Sequence, residues 1–368
     1  MTHAISHYKF EVDFSPVERA PEDPRDRLPY FNSFKELVRR EKEKIKLWHR
    51  GGAGGREVIQ AHTGFIDEVI RHIITSLALN KEYARFNVIN EFCLIAVGGY
   101  GRGELNPFSD IDLLFLKPNR MLKKADRFIQ DVTSILWGMG LEIGQACRTV
   151  KDCVRLAEED LTVRTSMSET RFLIGDRDKY EKFCASIHKS ILRKNVQGFL
   201  QAKILARRKR IGGDEGVASN PEPNIKEGSG GLRDYHAALW AVTARFGSAS
   251  LREVGRDDIV SDRELDQLDT SLNFILRVRN ELHYLKGKKF DVLDLEIQQM
   301  LAANLGYRGP SPVQATERFM RDYFLHATAV RDICGAVFER CLTPERSIRR
   351  VISSFTRKSL GNGFNTVD

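Results

Sequence analysis

The chain has 368 residues, 42% hydrophobic and 29% charged, more than one ordinary compact domain needs and enough for two, each with its own core. No apolar run approaches the roughly 20 residues of a membrane-spanning helix, the N-terminal stretch lacks the apolar segment of a secretory signal, and the scattered cysteines, without a C-x-x-C pair, argue against a zinc site. These features read as a cytoplasmic protein with reduced thiols and no membrane partner. The net charge of +8 admits a nucleoside triphosphate, an acidic protein or nucleic acid. Nucleic acid is the weakest of the three, because no arginine-glycine repeat, RNA-binding aromatic signature or helix-turn-helix pattern accompanies the charge.

Residues 1–32 are proline-rich and charged without periodicity, and read as a poorly ordered arm. A charged helix follows, "NSFKELVRREKEKIKLWHR", with a cap expected at Asn32 or Ser33 and an end at "GGAGG" (51–55), read as a hinge or loop. "REVIQAHTGFIDEVIRHIITSLAL" places Ile59, Phe65, Ile66, Val69, Ile70, Ile73 and Ile74 at helical spacing. The pattern then changes: "FCLIAV" (92–97) and "DIDLLFL" (110–116) are short β-leaning runs, "MLKKADRFIQDVTSILWGMG" is a helix closed by glycine, and "LEIGQACRTV" is a third strand. Such an order predicts a small mixed-sheet unit which, with the preceding helices, fills 33–150. From 151 to 342 the periodicity is almost wholly helical, with Leu265, Leu268, Leu272, Ile275, Val278, Leu282 and Leu285 tracing one stripe. One glycine- and proline-rich loop, "GVASNPEPNIKEGSGG" (216–231), interrupts it, and 343–368 reads as linker. The expected fold class is therefore α+β, a mixed-sheet domain followed by an all-α bundle.

The chemistry concentrates in "AVGGYGRGELNPFSDIDLLFL" (96–116). Successive strand side chains point to opposite faces, so Asp110 and Asp112 share a face with Cα atoms roughly 7 Å apart. Carboxylates that close repel unless a cation lies between them, and Mg²⁺, which takes oxygen ligands at about 2.0–2.1 Å, suits the gap. Upstream, Gly98, Gly99, Gly101 and Gly103 let backbone approach a ligand and offer N–H groups to phosphate oxygens. No G-K-[ST] follows, which excludes a P-loop, and Glu104 stands where the dinucleotide fingerprint needs its last glycine. Outward aspartates at a sheet edge and a glycine hairpin are each ordinary alone. Their conjunction on a strand otherwise made of Ile, Leu and Phe is not, since acids are poor strand formers. Arg102 could reach the phosphates or pair with Glu104, and Ser109 could support a phosphate or cap the turn. Lys226 and Arg233, in "NIKEGSGGLRD", offer a second place to hold anionic oxygens. Arg279 and His283 lie one helical turn apart, and His283 is left outside the mechanism.

These residues carry a resemblance. "GGYGRGELNPFSDIDLL" resembles the nucleotidyltransferase core of the bacterial PII-protein uridylyltransferases, within the DNA polymerase β-like superfamily, whose palm pairs a glycine turn with D-x-D on a strand. The resemblance continues through "RTSMSETRFLIGD", "NIKEGSGGLRDYHAALW" and "RNELHYLKGKKFDVLDLEIQQMLAANLGY", and covers about residues 60–335. It implies transfer of UMP from UTP to a tyrosine hydroxyl of the signal protein PII, with release of pyrophosphate, in nitrogen regulation. It also implies two Mg²⁺ (or Mn²⁺) ions roughly 3.5–4 Å apart, bridged by Asp110 and Asp112, with a third carboxylate on the next strand, for which Glu142 is the best-placed candidate. An ATP-using protein adenylyltransferase, like the related glutamine synthetase adenylyltransferase, or a non-catalytic nucleotide- or PII-binding module, would keep the same residues. Full-length family members continue into an HD phosphohydrolase and ACT modules. This chain has no His-Asp dipeptide and ends "RKSLGNGFNTVD", so neither activity is expected of it and its end reads as the start of a linker.

Overall fold

The structure, a computed structural model, describes residues 12–17, 20–192, 194–211, 220–248, 250–254, 259–342, 358–360 and 364–366. Residues 1–11 and 18–19 of the expected arm lie outside the described residues, but described parts of it pack. Val17 and Ala20 are buried, and helix α1 spans Arg27–Arg50, so Asn32 and Ser33 lie inside the helix rather than capping it. Pro29 falls in the first turn, where its missing N–H is no loss, and Tyr30, Phe34, Leu37 and Ile45 bury one helical face. The glycine cluster expected as a hinge ends α1 and starts α2, Gly55–Ala78, with Gly54 N–H donating to Glu57 Oε2 at 2.7 Å.

The sheet forms as the sequence predicts for three of its strands: β1, Cys93–Val97; β2, Ile111–Leu116; and β3, Ile143–Arg148. Between β1 and β2 the glycine turn winds into the one-turn helix α3, Gly98–Gly101, and α4, Lys123–Gly138, crosses from β2 to β3. Helices α5, Val150–Glu159, and α6, Leu161–Ser168, follow; then comes a fourth strand, β4, Thr170–Gly175, and α7, Arg177–Ile187. This strand corrects the reading of "SETRFLIG" as part of a helix. "TRFLIG" pairs antiparallel with β1, giving the order β3-β2-β1-β4, with β2 and β3 parallel. Both sheet faces are covered. Leu94, Ile111, Leu113 and Phe115 join α1, α2 and α4 in one core, while Cys93, Ile95, Leu114 and Leu116 pack with Cys153, Met167, Phe183 and Ile187 of α5–α7 in another. Long-range pairing thus decided β4 against local helical periodicity.

The remaining described chain is helical: α8, Val196–Ile211; α9, Leu232–Phe246; α10, Leu251–Val254; α11, Asp262–Lys286; α12, Leu295–Asn304; and α13, Pro312–Leu342. The α11 stripe faces a core shared with Phe319, Tyr323, Val330 and Val337 of α13. Ser261 caps α11 through a reciprocal pair with Glu264. Of the expected loop, 216–219 lie outside the described residues, and 220–231 are anchored by Ile225, which is fully buried, and by an isolated bridge between Asn224 and Val292. Of the expected linker, 343–357, 361–363 and 367–368 lie outside the described residues; Lys358–Leu360 (β5) and Phe364–Thr366 (β6) pair antiparallel.

Candidate active site

Strand parity places Asp112 on the sheet face shared by Leu114 and Leu116, at the end that α5–α7 leave open. There Asp110 and Asp112 both line a cavity of about 240 Å³, together with Gly98, Gly99, Arg102, Ser109, Lys226, Arg233, Arg279 and Lys289. The sheet contributes the acids and the helical part contributes the cations.

Local sequence explains the acid end. Gly98 sits at φ +60°, a left-handed conformation that turns the chain out of β1 at little steric cost for glycine. In the parallel β2–β3 register Asp112 lies opposite Gly144, and a Cβ there would stand 2.5 Å from Asp112 Oδ1. The edge strand therefore needs glycine to leave the carboxylate in place. Burial, then the neighbouring Asp110, push the Asp112 carboxyl above its usual range, against the pull of Lys289 and Lys226. Lys289 Nζ donates to Asp110 Oδ2. Two hard oxygen ligands sharing a face and lining one cavity are a donor set suited to a divalent cation that also takes phosphate oxygens.

Lys226 is the clearest anion-seeking group. Its ammonium makes no hydrogen bond among the described residues, and burial, then Arg279 and Arg233, hold its pKa below the usual lysine value. The loop that carries it is fixed by Asn224, whose Oδ1 accepts from the N–H groups of Lys226 and Glu227 at 3.0 and 2.7 Å. Arg233 pairs with Glu227 at 2.9 Å while still facing the cavity.

Other expected residues stand differently. Arg102 lines the cavity, but its guanidinium is held by Glu104 at 2.8 Å and Glu169 at 2.6 Å, so it organises the wall. His236 Nε2 donates to Glu104 Oε2 at 2.9 Å, Trp240 Nε1 donates to Glu169, and burial, then Arg102, lower the His236 pKa. Gly101 and Gly103 are absent from the cavity wall; Gly101 instead packs on the Glu169 carbonyl. Ser109 N–H closes a turn on Asn106 O at 3.1 Å, and the residue lines the cavity. Glu142 precedes β3 at the position opposite Asp110, but it is exposed and does not line the cavity. Among the described residues no group of three His, Cys, Asp or Glu side chains is placed to hold a metal ion, so the expected third carboxylate is not assembled with the other two.

Sequence reasoning missed Lys289 and the part played by α11. Arg279 binds Asp291 at 2.7 Å and donates to Asn106 Oδ1, Asn106 donates to Asn280 at 2.7 Å, and His283 Nδ1 donates to the Pro107 carbonyl. The two residues one turn of helix apart therefore clamp the segment leading into Asp110. Nothing in the local sequence links Asn106 to Arg279, 173 positions away.

Comparison with known proteins agrees with this arrangement. Residues 82–173 match a profile described as a nucleotidyltransferase domain, and residues 198–338 match one described as GlnD PII-uridylyltransferase. Proteins named bifunctional uridylyltransferase/uridylyl-removing enzyme are 33% identical over 84% of the chain in Rhodospirillum rubrum and 37% over 77% in Caulobacter vibrioides. One from Phenylobacterium zucineum is 32% identical over 95% of the chain. The chain spans 33%, 30% and 38% of these three proteins, about a third of each. No described helix is long and apolar enough to cross a membrane. With a match to a nucleotidyltransferase domain followed by a match to the GlnD PII-uridylyltransferase profile, and similarity along most of its length, the chain is similar to part of these uridylyltransferase/uridylyl-removing enzymes.

Proposed function

We infer that the chain transfers UMP from UTP to a tyrosine hydroxyl of the PII signal protein and releases pyrophosphate. The observation that carries this reading is the convergence of Asp110 and Asp112 with Lys226, Lys289 and Arg279 on one cavity beside the Gly98–Gly99 turn. Acids alone would suit a simple cation site and cations alone an anion site; opposed across one cavity, they suit a metal-bound triphosphate.

Asp110 and Asp112 are the residues that would hold Mg²⁺ or Mn²⁺, which supplies charge neutralisation at the phosphates and a more acidic acceptor hydroxyl. The chain's own work is positioning. Backbone N–H groups of the glycine turn and the ammonium groups of Lys226 and Lys289 fix the phosphates. Lys289 exchanges Asp110 for a phosphate oxygen when the nucleotide enters. The tyrosine oxygen forms its bond to the α-phosphorus as the bond to the β-phosphate bridge breaks, pyrophosphate takes the bridging electron pair, and the hydroxyl proton passes to water. The α11 clamp on Asn106 and Pro107 keeps β2 aligned with the phosphate-holding lysines throughout.

The test is incubation with Mg²⁺, PII and α-labelled UTP or ATP. Label is expected on PII from UTP and none from either Asp110→Asn or Asp112→Asn; equal transfer from ATP, or label that persists in both variants, contradicts the reading.

A further inference from the structure

A second cavity of about 230 Å³ adjoins the first, and the two share Thr162, Thr165, Arg233 and Trp240 as a common wall. Lys203, Arg207 and Arg210 line the second and not the first. No carboxylate lines this cavity. Its arginines are already engaged: Arg207 and Arg210 hold Asp234 at 3.0 and 2.6 Å, and Arg233 holds Glu227 at 2.9 Å. Lys203 differs. Its ammonium makes no hydrogen bond among the described residues, and lies 4.2 Å from the centroid of the Trp240 ring, which the bond to Glu169 holds in place. Burial, then Arg233, lower its pKa to about 8, so a further cation would be unwelcome while a neutral acceptor would be accommodated.

We propose that this cavity is the base subsite and that Lys203 selects a 4-oxo pyrimidine by donating a hydrogen bond to its C4 carbonyl. The proposal rests on the triphosphate occupying the first cavity, as in the function inferred above. With the phosphates at Asp110 and Asp112, the ribose lies at the shared wall and the base beyond it. On a pyrimidine ring C4 is the position opposite the glycosidic nitrogen, so it points away from the ribose into the cavity that Lys203 lines. A carbonyl there accepts from the ammonium, whereas the amine that cytosine carries at C4, or adenine at C6, would oppose one donor with another. Thr165 Oγ1 donates to Thr162 O at 2.8 Å and keeps a lone pair for the ring N3–H. Trp240 and Arg233, in the shared wall, flank the ribose.

Equilibrium binding of UTP, CTP and ATP with Mg²⁺, to wild type, Lys203→Met and Lys203→Arg, tests this. Wild type is expected to bind UTP at least tenfold more tightly than CTP or ATP. Lys203→Met should lose about tenfold in UTP affinity while keeping that for CTP, which also reports that it folds, and Lys203→Arg should restore the preference in part. Equal affinities in wild type, or a preference that survives Lys203→Met, overturn the proposal. Label transfer to PII is scored separately: absence of transfer alongside UTP-selective binding abolished by Lys203→Met would refute the catalytic reading and leave the subsite standing.

Discussion

Replacing Gly144 by alanine adds one methyl group to an exposed position of an edge strand, where alanine is the better strand former and costs less chain entropy. Stability should change little. The new Cβ, however, would stand 2.5 Å from Asp112 Oδ1, where ordinary contact begins at 3.4 Å, so the carboxylate has to retreat by about 0.9 Å. Misplacement of a catalytic group by about 1 Å costs on the order of 100-fold, close to 2.7 kcal/mol of barrier. Gly144→Ala is therefore expected to melt within a few degrees of wild type while kcat for uridylyl transfer falls about 100-fold. Measuring the two together separates misplacement from unfolding. Wild-type kcat in a folded Gly144→Ala protein would refute the assignment of Asp112 as a ligand fixed by this contact.

Three further outcomes follow from the same geometry. Asp112 has a folded pKa raised by burial and Asp110, so its ionised form costs stability above that pKa, and the cost disappears as pH falls through it; Asp112→Asn without divalent ions at neutral pH should melt above wild type while losing transfer, and a lower melting temperature would contradict this. Arg102→Ala leaves Glu104 and Glu169 buried without their cation and should destabilise the fold by about 3–5 kcal/mol in a denaturant titration. Lys226→Met removes an ammonium with no hydrogen-bond partner among the described residues, so UTP affinity should drop about tenfold or more with no loss of melting temperature.

The parts of the site legible in the sequence were those set by local geometry. A period of two puts Asp110 and Asp112 on one face whatever surrounds the strand, and a glycine turn between apolar runs marks phosphate approach. The resemblance offered Glu142 as the third carboxylate, but a strand's sequence carries no information about which end opens to the cavity, and Glu142 is exposed outside it. The role of Gly144 needs the β2–β3 register. That of Lys289 needs the packing of α11 against Asn106, and Arg102's second partner, Glu169, needs α6 to close on the glycine turn. β4 was hidden because "TRFLIG" continues the period of the preceding helices, and only its pairing with β1 makes it a strand. The start of α1 was hidden because Pro29 belongs to the proline-rich stretch read as an arm, yet occupies the one helical turn that tolerates it.

The central claim is that Asp110 and Asp112 together hold a divalent ion against the triphosphate. Electron paramagnetic resonance of Mn²⁺, titrated into the protein with and without UTP, measures this directly. Wild type should bind Mn²⁺ more tightly when UTP is present, and both Asp110→Asn and Asp112→Asn should lose that gain. A gain retained in both variants would contradict the account.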